Sequence, residues 1–317
     1  MVIDSCLVMN IDKELISYKS YVLDYNLKSI AETERRLGWY FYQLNREGDA
    51  GKALHHYELS HSSYQLLGDK FEEARLKSSL GLLYNRRQRE LGKLELDTSK
   101  TYVERAWDVL KPILDPTHTI TEGNITSKDE IDQVVDKMIN LSRHVTVEQK
   151  RILAKVWGGI AHVYLRLSGD PGGVIVRKGR TEIEEDEENR QLLYKAETFL
   201  RATRQLEKEV GAIRDLIQTD HLIGLTLTRL GKAEEAIKFH ENWTRKAGLL
   251  GWKHEYAQAC RNLSVAYAYN GDGESKKWVD EAIKTWENLQ KITSEDRTTD
   301  IEAAKKLKKK ISNLIKK

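Results

Sequence analysis

Three histidines, His55, His56 and His61, stand close together and are the first residues whose type and spacing suggest chemistry. A zinc site on a helix needs ligands one turn apart or paired cysteines. Here His56 and His61 are five residues apart, with no H-E-x-x-H and no Cys partner, so the cluster does not read as a metal site. The two cysteines, Cys6 and Cys260, lie far apart in the chain and read as free thiols in a reducing compartment. Gly172-Gly173 follows a helical segment and leads into a loop, which is the wrong context for a phosphate-cradling turn. No G-x-S-x-G and no G-x-x-x-x-G-K-[ST] occurs. Carboxylates are abundant, but at helical spacing, where intrahelical pairing accounts for them. The chain therefore reads as a non-enzyme with no cofactor and no metal.

Composition points to the elements that position these residues. Leu, Glu, Lys, Ala and Arg are abundant, while only 3 Pro and 4 Phe occur among 317 residues, so propensity leans to helix throughout. A formal charge of +3 is too small for this length to advertise a nucleic-acid binder. The segment Met1 to Met9 carries Asp4 and has neither a basic start nor an unbroken apolar stretch, so it does not read as a signal peptide. No stretch is apolar for the roughly 18 residues of a membrane span. The expectation is an intracellular protein.

Internal repetition carries most of the information. Leu66-Leu67-Gly68-Asp69-Lys70-Phe71-Glu72-Glu73-Ala74 matches Leu249-Leu250-Gly251-Trp252-Lys253-His254-Glu255-Tyr256-Ala257 at one constant offset, which also takes Leu80 to Leu263 and Tyr84 to Tyr267. A first-helix motif recurs as Leu37-Gly38-x2-Phe41, Leu80-Gly81-x2-Tyr84, Trp157-x2-Ile160-Ala161-x2-Tyr164, Ile223-Gly224-x2-Leu227 and Leu263-Ser264-x2-Tyr267. Second helices follow with Ala53-x3-Tyr57, Ala106-x3-Leu110, Ala196-x3-Leu200, Ala236-x3-His240 and Ala282-x3-Trp286. The small residue in each marks a close helix crossing, where a larger side chain has no room. This pattern is similar to the tetratricopeptide repeat, W-x2-L-G-x2-Y followed by A-x3-F. The resemblance implies an all-α helical repeat solenoid, a right-handed superhelix of antiparallel helix pairs, over residues 1–317.

The intervals from Leu80 to Ile160 and from Ile160 to Ile223 exceed one repeat, which calls for insertions. One runs from about Arg86 to Ser99, followed by a loop at 115–128 and an extra amphipathic helix near Asp129 to Arg143. The other, 170–189, opens with Asp170-Pro171-Gly172-Gly173 and carries six acids between Glu182 and Glu188. It reads as a solvated loop, the alternative being an acidic docking strip for a basic partner. The ends of an array need covering. Residues 1–30 read as an N-terminal helical cap and 295–317 as a basic capping helix with Ile301, Ala304, Leu307, Ile311, Leu314 and Ile315 on one stripe. Its outer lysines, Lys305, Lys306, Lys308, Lys309 and Lys310, suit a solvated cap; a nuclear localisation or nucleic-acid patch and an anionic membrane surface are the competing readings.

Recognition then falls to the concave groove, lined in such arrays by first helices. Counting from the Leu-Gly motif, its exposed positions are expected to be Arg35, Trp39 and Tyr42; Arg75, Ser78 and Asn85; Lys155 and His162; His221 and Thr228; and Gln258, Arg261, Asn262 and Tyr269. Cations and amides of this kind suit the carboxylates and backbone of an extended peptide. Trp39 and Tyr42 read as packing residues ahead of binding ones. The partner is expected to be a protein, with nucleic-acid contact left only to the basic tail.

The long repeat, its Leu-Gly turn and the Ala53-Leu54-His55-His56 opening of an early second helix resemble the N-terminal region of Tonsoku-like proteins, and less closely the Pins/LGN adaptors. That resemblance covers about Ala31 to Leu289. It implies a nuclear scaffold at damaged or stalled replication forks, with a second scaffold subunit and chromatin factors as partners. The histone reading of that family belongs to an ankyrin region with no counterpart in these 317 residues. A cytoplasmic peptide-binding adaptor is the alternative.

Overall fold

The computed structural model describes residues 2–23, 26–44, 46–87, 96–116, 127–168, 187–293 and 296–315. Among these there is no strand. The chain groups into two compact units, one built from residues up to Arg166 and the other from Leu167 onward, with Ile125–Ser127 counted in the second.

The first unit begins with α1 (Val2–Leu23), which packs on α2 (Leu27–Leu44). Helix α2 pairs with α3 (Asp49–Leu67), and α4 (Lys70–Arg87) pairs with α5 (Leu96–Leu114), with α3 against α4 between them. Then come α6 (Lys128–Leu141), a 3-10 turn at Ser142–His144, and α7 (Val147–Leu167). The second unit runs α8 (Glu187–Glu209), α9 (Ile213–Arg229), α10 (Ala233–Leu249), α11 (Lys253–Tyr269), α12 (Ser275–Thr293) and α13 (Thr298–Ile315), each packed on the next. This is an all-α, helix-pair repeat architecture with sequential contacts.

The turns explain its regularity. Gly211, Gly231, Gly251 and Gly271 recur every twenty residues, all with φ near +70°. At each, the glycine N–H and the following N–H reach back to carbonyls of the preceding turn, as in Gly231 to Thr228 and Lys232 to Leu227. That double bond pattern closes a helix and needs a left-handed residue, a conformation that glycine adopts without a Cβ clash. The result is three successive helices, α9, α10 and α11, of 17 residues each.

The small residues do sit at close crossings. A Cβ on Gly38 would lie 2.6 Å from the Tyr57 ring, and one on Gly224 would lie 2.6 Å from the His240 ring, as the Ala-x3-aromatic spacing implies. In the second pair the register differs. A Cβ on Gly81 would lie 2.6 Å from Val103 and 3.0 Å from the Ser99 carbonyl, two turns ahead of the expected Ala106 and Leu110, which are buried further along the same stripe. An apolar stripe repeats almost in phase after seven residues, so sequence alone does not separate the two registers. We expect Gly81→Leu and Gly224→Leu each to cost about 1–3 kcal/mol through overpacking. Thermal melts check this, and unchanged melting in both would mean that neither crossing is as tight as described.

Element boundaries shift slightly from expectation. The leading 1–30 segment contains α1 and the start of α2 at Leu27, α4 runs to Arg87 and α5 begins at Leu96, with residues 88–95 outside the described residues, and α8 starts at Glu187. Most of the acidic insert (residues 169–186), residues 117–126 of the earlier loop, and the side chains of Cys6, Leu314 and Ile315 lie outside the described residues. The terminal stripe of α13 is present, with Ile301, Ala304 and Ile311 buried in one cluster with Ala282 and Trp286 of α12. No described helix is long and apolar enough to cross a membrane.

Candidate partner-binding face

The three histidines diverge. His55 is exposed. His56 turns its Nδ1 to the buried Glu34 carboxylate at 2.5 Å and stacks on Phe41, while Lys77 Nζ donates to His61 Nε2 at 2.8 Å. Burial, and then Lys77, hold the His61 imidazole below its usual range. Among the described residues no group of three His, Cys, Asp or Glu side chains could hold a metal. Cys260 is buried, and burial pushes its thiol up to about 12, so it is a poor nucleophile.

The first helices bring several expected recognition residues together. In the first unit, Glu72 of α4 stands between Arg35 of α2 and Arg75 of α4, 3.5 Å from Arg35 Nε and 3.1 Å from Arg75 Nη1. Glu72 was absent from the sequence expectation, although its place three residues before Arg75 is the ordinary signal for an intrahelical pair. On α7, Lys155 is exposed and His162 half-buried. A Cβ on Gly159 of α7 would strike Ser78 of α4, so these two first helices meet at that point.

In the second unit His221 of α9 stacks on Trp243, with centroids 3.9 Å apart. Its Nδ1 lies 3.4 Å from Asn262 Nδ2 of α11, which joins the two first helices. Arg261 reaches Asn262 Oδ1 at 3.4 Å; burial pulls its guanidinium down from its usual value, opposed by Asp300 of α13. Gln258 is half-buried and bonds His254 at 3.0 Å, and Tyr269 is half-buried as well.

Four expected groove positions are buried. Ser78, Asn85, Thr228 and Asn262 are each at most 5% accessible. The causes are visible for three of them: Ser78 lies under Gly159, Asn262 faces His221, and Thr228 donates to the Gly224 carbonyl beside His240. Exposure on a first helix depends on how closely the next first helix approaches, which a count from Leu-Gly does not contain. Trp39 goes the other way and is 46% exposed, whereas Tyr42 packs on the core cluster of the first two helix pairs.

The basic tail is partly engaged. Lys305 pairs with Glu287 at 2.8 Å and Lys308 with Asp280 at 2.5 Å, both on α12, while Lys306, Lys309 and Lys310 are exposed. These contacts tie α13 to α12 along one side of the apolar stripe.

What remains chemically is, in each unit taken by itself, a polar set of groups on first helices, with guanidinium groups in both and amide and imidazole groups beside them in the second. It is suited to holding carboxylates and peptide backbone rather than to bond making. No protein-family model matches the chain, and no curated protein matches it.

Proposed function

We infer that the chain is a non-catalytic scaffold of the tetratricopeptide type that binds a protein partner through the first helices of its units. The observation that carries this reading is the recurrence of cationic and amide clusters on first helices in both units: Arg35, Glu72 and Arg75 in one, His221, Arg261 and Asn262 in the other. Guanidinium groups held by neighbours are pre-oriented, so less side-chain freedom is lost when a carboxylate binds. Lys155 and His162 extend the first cluster along α7.

The resemblance of the long repeat to Tonsoku-like proteins supports a subunit of a nuclear assembly at damaged or stalled replication forks. A cytoplasmic adaptor that reversibly binds a short linear peptide is the second reading, favoured by the half-buried amide of Gln258, whose chemistry matches an extended backbone. The two differ in stoichiometry and affinity: a stable subunit copurifies one-to-one with its partner, whereas an adaptor releases it on dilution.

Affinity purification of the tagged chain from cells, followed by mass spectrometry, tests both. We expect Arg35→Gln, Arg75→Gln and Arg261→Gln combined to lose the partner while helical circular dichroism is retained. Lys306→Glu, Lys309→Glu and Lys310→Glu combined should keep it. If the lysine variant alone loses the partner, the basic tail is the docking element and the first-helix reading fails.

A further inference from the structure

The two end helices treat water differently. The outer face of α13 carries exposed lysines, as a solvated cap should. Helix α1 packs its other side on α2 through Ile11, Glu14 to Arg36 at 2.8 Å, and Tyr18 beside the Glu34 carboxylate. Its outward side is nevertheless apolar: Val8, Met9, Leu15, Ile16 and Val22 are all exposed, Ile16 at 72%. Val8, Leu15 and Val22 are seven residues apart, as are Met9 and Ile16, so they form one seam along the helix. A seven-residue recurrence is the period on which a second helix packs.

Two exposed charges interrupt that seam, Asp12 and Lys19, and neither has an ion-pair partner among the described residues. Their placement is self-complementary. Turning the helix end for end about a point between Leu15 and Ile16 exchanges Leu15 with Ile16, Asp12 with Lys19 and Met9 with Val22. We propose that the outer face of α1 is a homodimer interface, on which α1 of a second copy of this chain lies antiparallel about a two-fold axis beside Leu15 and Ile16. Each Asp12 then meets the partner copy's Lys19 in two symmetric pairs, and the apolar residues of the two seams cover one another. Parallel pairing would set Asp12 against Asp12 and Lys19 against Lys19, so the charges select the antiparallel arrangement. One helix pair is a small interface, and the association is therefore concentration-dependent.

Sedimentation velocity of the full chain over a micromolar series tests this, with circular dichroism as the check on folding. The wild-type chain should move from 36.6 kDa towards twice that mass as concentration rises. Ile16→Glu should remain monomeric throughout. Asp12→Lys and Lys19→Asp should each weaken association at least tenfold, and the double reversal Asp12→Lys/Lys19→Asp should restore it. A wild-type chain that stays monomeric overturns the proposal, as does a dimer that survives Ile16→Glu. A dimer indifferent to both single reversals overturns the antiparallel register. None of these outcomes depends on whether the first-helix face binds a partner, because Asp12, Ile16 and Lys19 lie outside it.

Discussion

Asp220→Ala is expected to destabilise the second unit by about 3 kcal/mol, the lower end of the range for breaking a buried ion pair. Asp220 of α9 is fully buried. Its Oδ1 accepts from Arg204 Nε of α8 at 2.5 Å, and its Oδ2 accepts from Asn242 Nδ2 at 2.9 Å and Lys246 Nζ at 3.3 Å, both on α10. One carboxylate thus joins three successive helices. Truncation removes all three bonds and leaves two cations facing each other across the gap. Arg204 and Lys246 keep 27% and 29% of their side chains exposed, so water relieves part of the penalty. Asp220→Asn, which keeps the volume and an acceptor but loses the charge, should fall between. Urea unfolding gives the result, and a loss below about 1 kcal/mol would mean that the carboxylate behaves as a solvated surface group.

The second large effect is on pH dependence. His240 of α10 is fully buried against Gly224, with Thr228 Oγ1 3.4 Å from its Nε2, and burial pushes its imidazole down to about 4. The unfolded chain carries this histidine near its ordinary value of about 6.5. Between the two, the unfolded state binds a proton that the folded state does not, so stability falls as pH drops through that window and is complete above it. A gap of this size corresponds to on the order of 3 kcal/mol by pH 4. His61, also held low, acts in the same direction. His240→Phe keeps an aromatic ring over Gly224 and removes the titration. Its melting temperature should therefore lose less between pH 7 and pH 4 than that of the wild type. Identical slopes in the two proteins would show that His240 is not the group responsible.

The sequence is most informative where one residue type answers one geometric need. Gly38 against Tyr57 and Gly224 against His240 were legible because a close crossing excludes a Cβ and the aromatic four residues after an alanine fills the space. The twenty-residue glycine period at 211, 231, 251 and 271 was equally present in the sequence. Those glycines stand between helices, where the Leu-Gly motif inside the first helices does not reach. Ser99 and Val103 against Gly81 were not legible, because a seven-residue shift leaves the apolar pattern unchanged. Burial of Asn85 and Asn262 is a property of neighbouring side chains and not of position in a motif, so it was not legible in the sequence. The Glu72 bridge between Arg35 and Arg75 joins two helices far apart in the chain, and only half of it, the pair within α4, could be read from spacing.

Hydrogen–deuterium exchange of the chain with and without its captured partner tests the first-helix account most directly. Binding along that face predicts new protection on the segments containing Arg35, Arg75, Lys155, His221 and Arg261, with little change on second helices α3, α5, α10 and α12. Protection confined to those second helices or to α13 would contradict it.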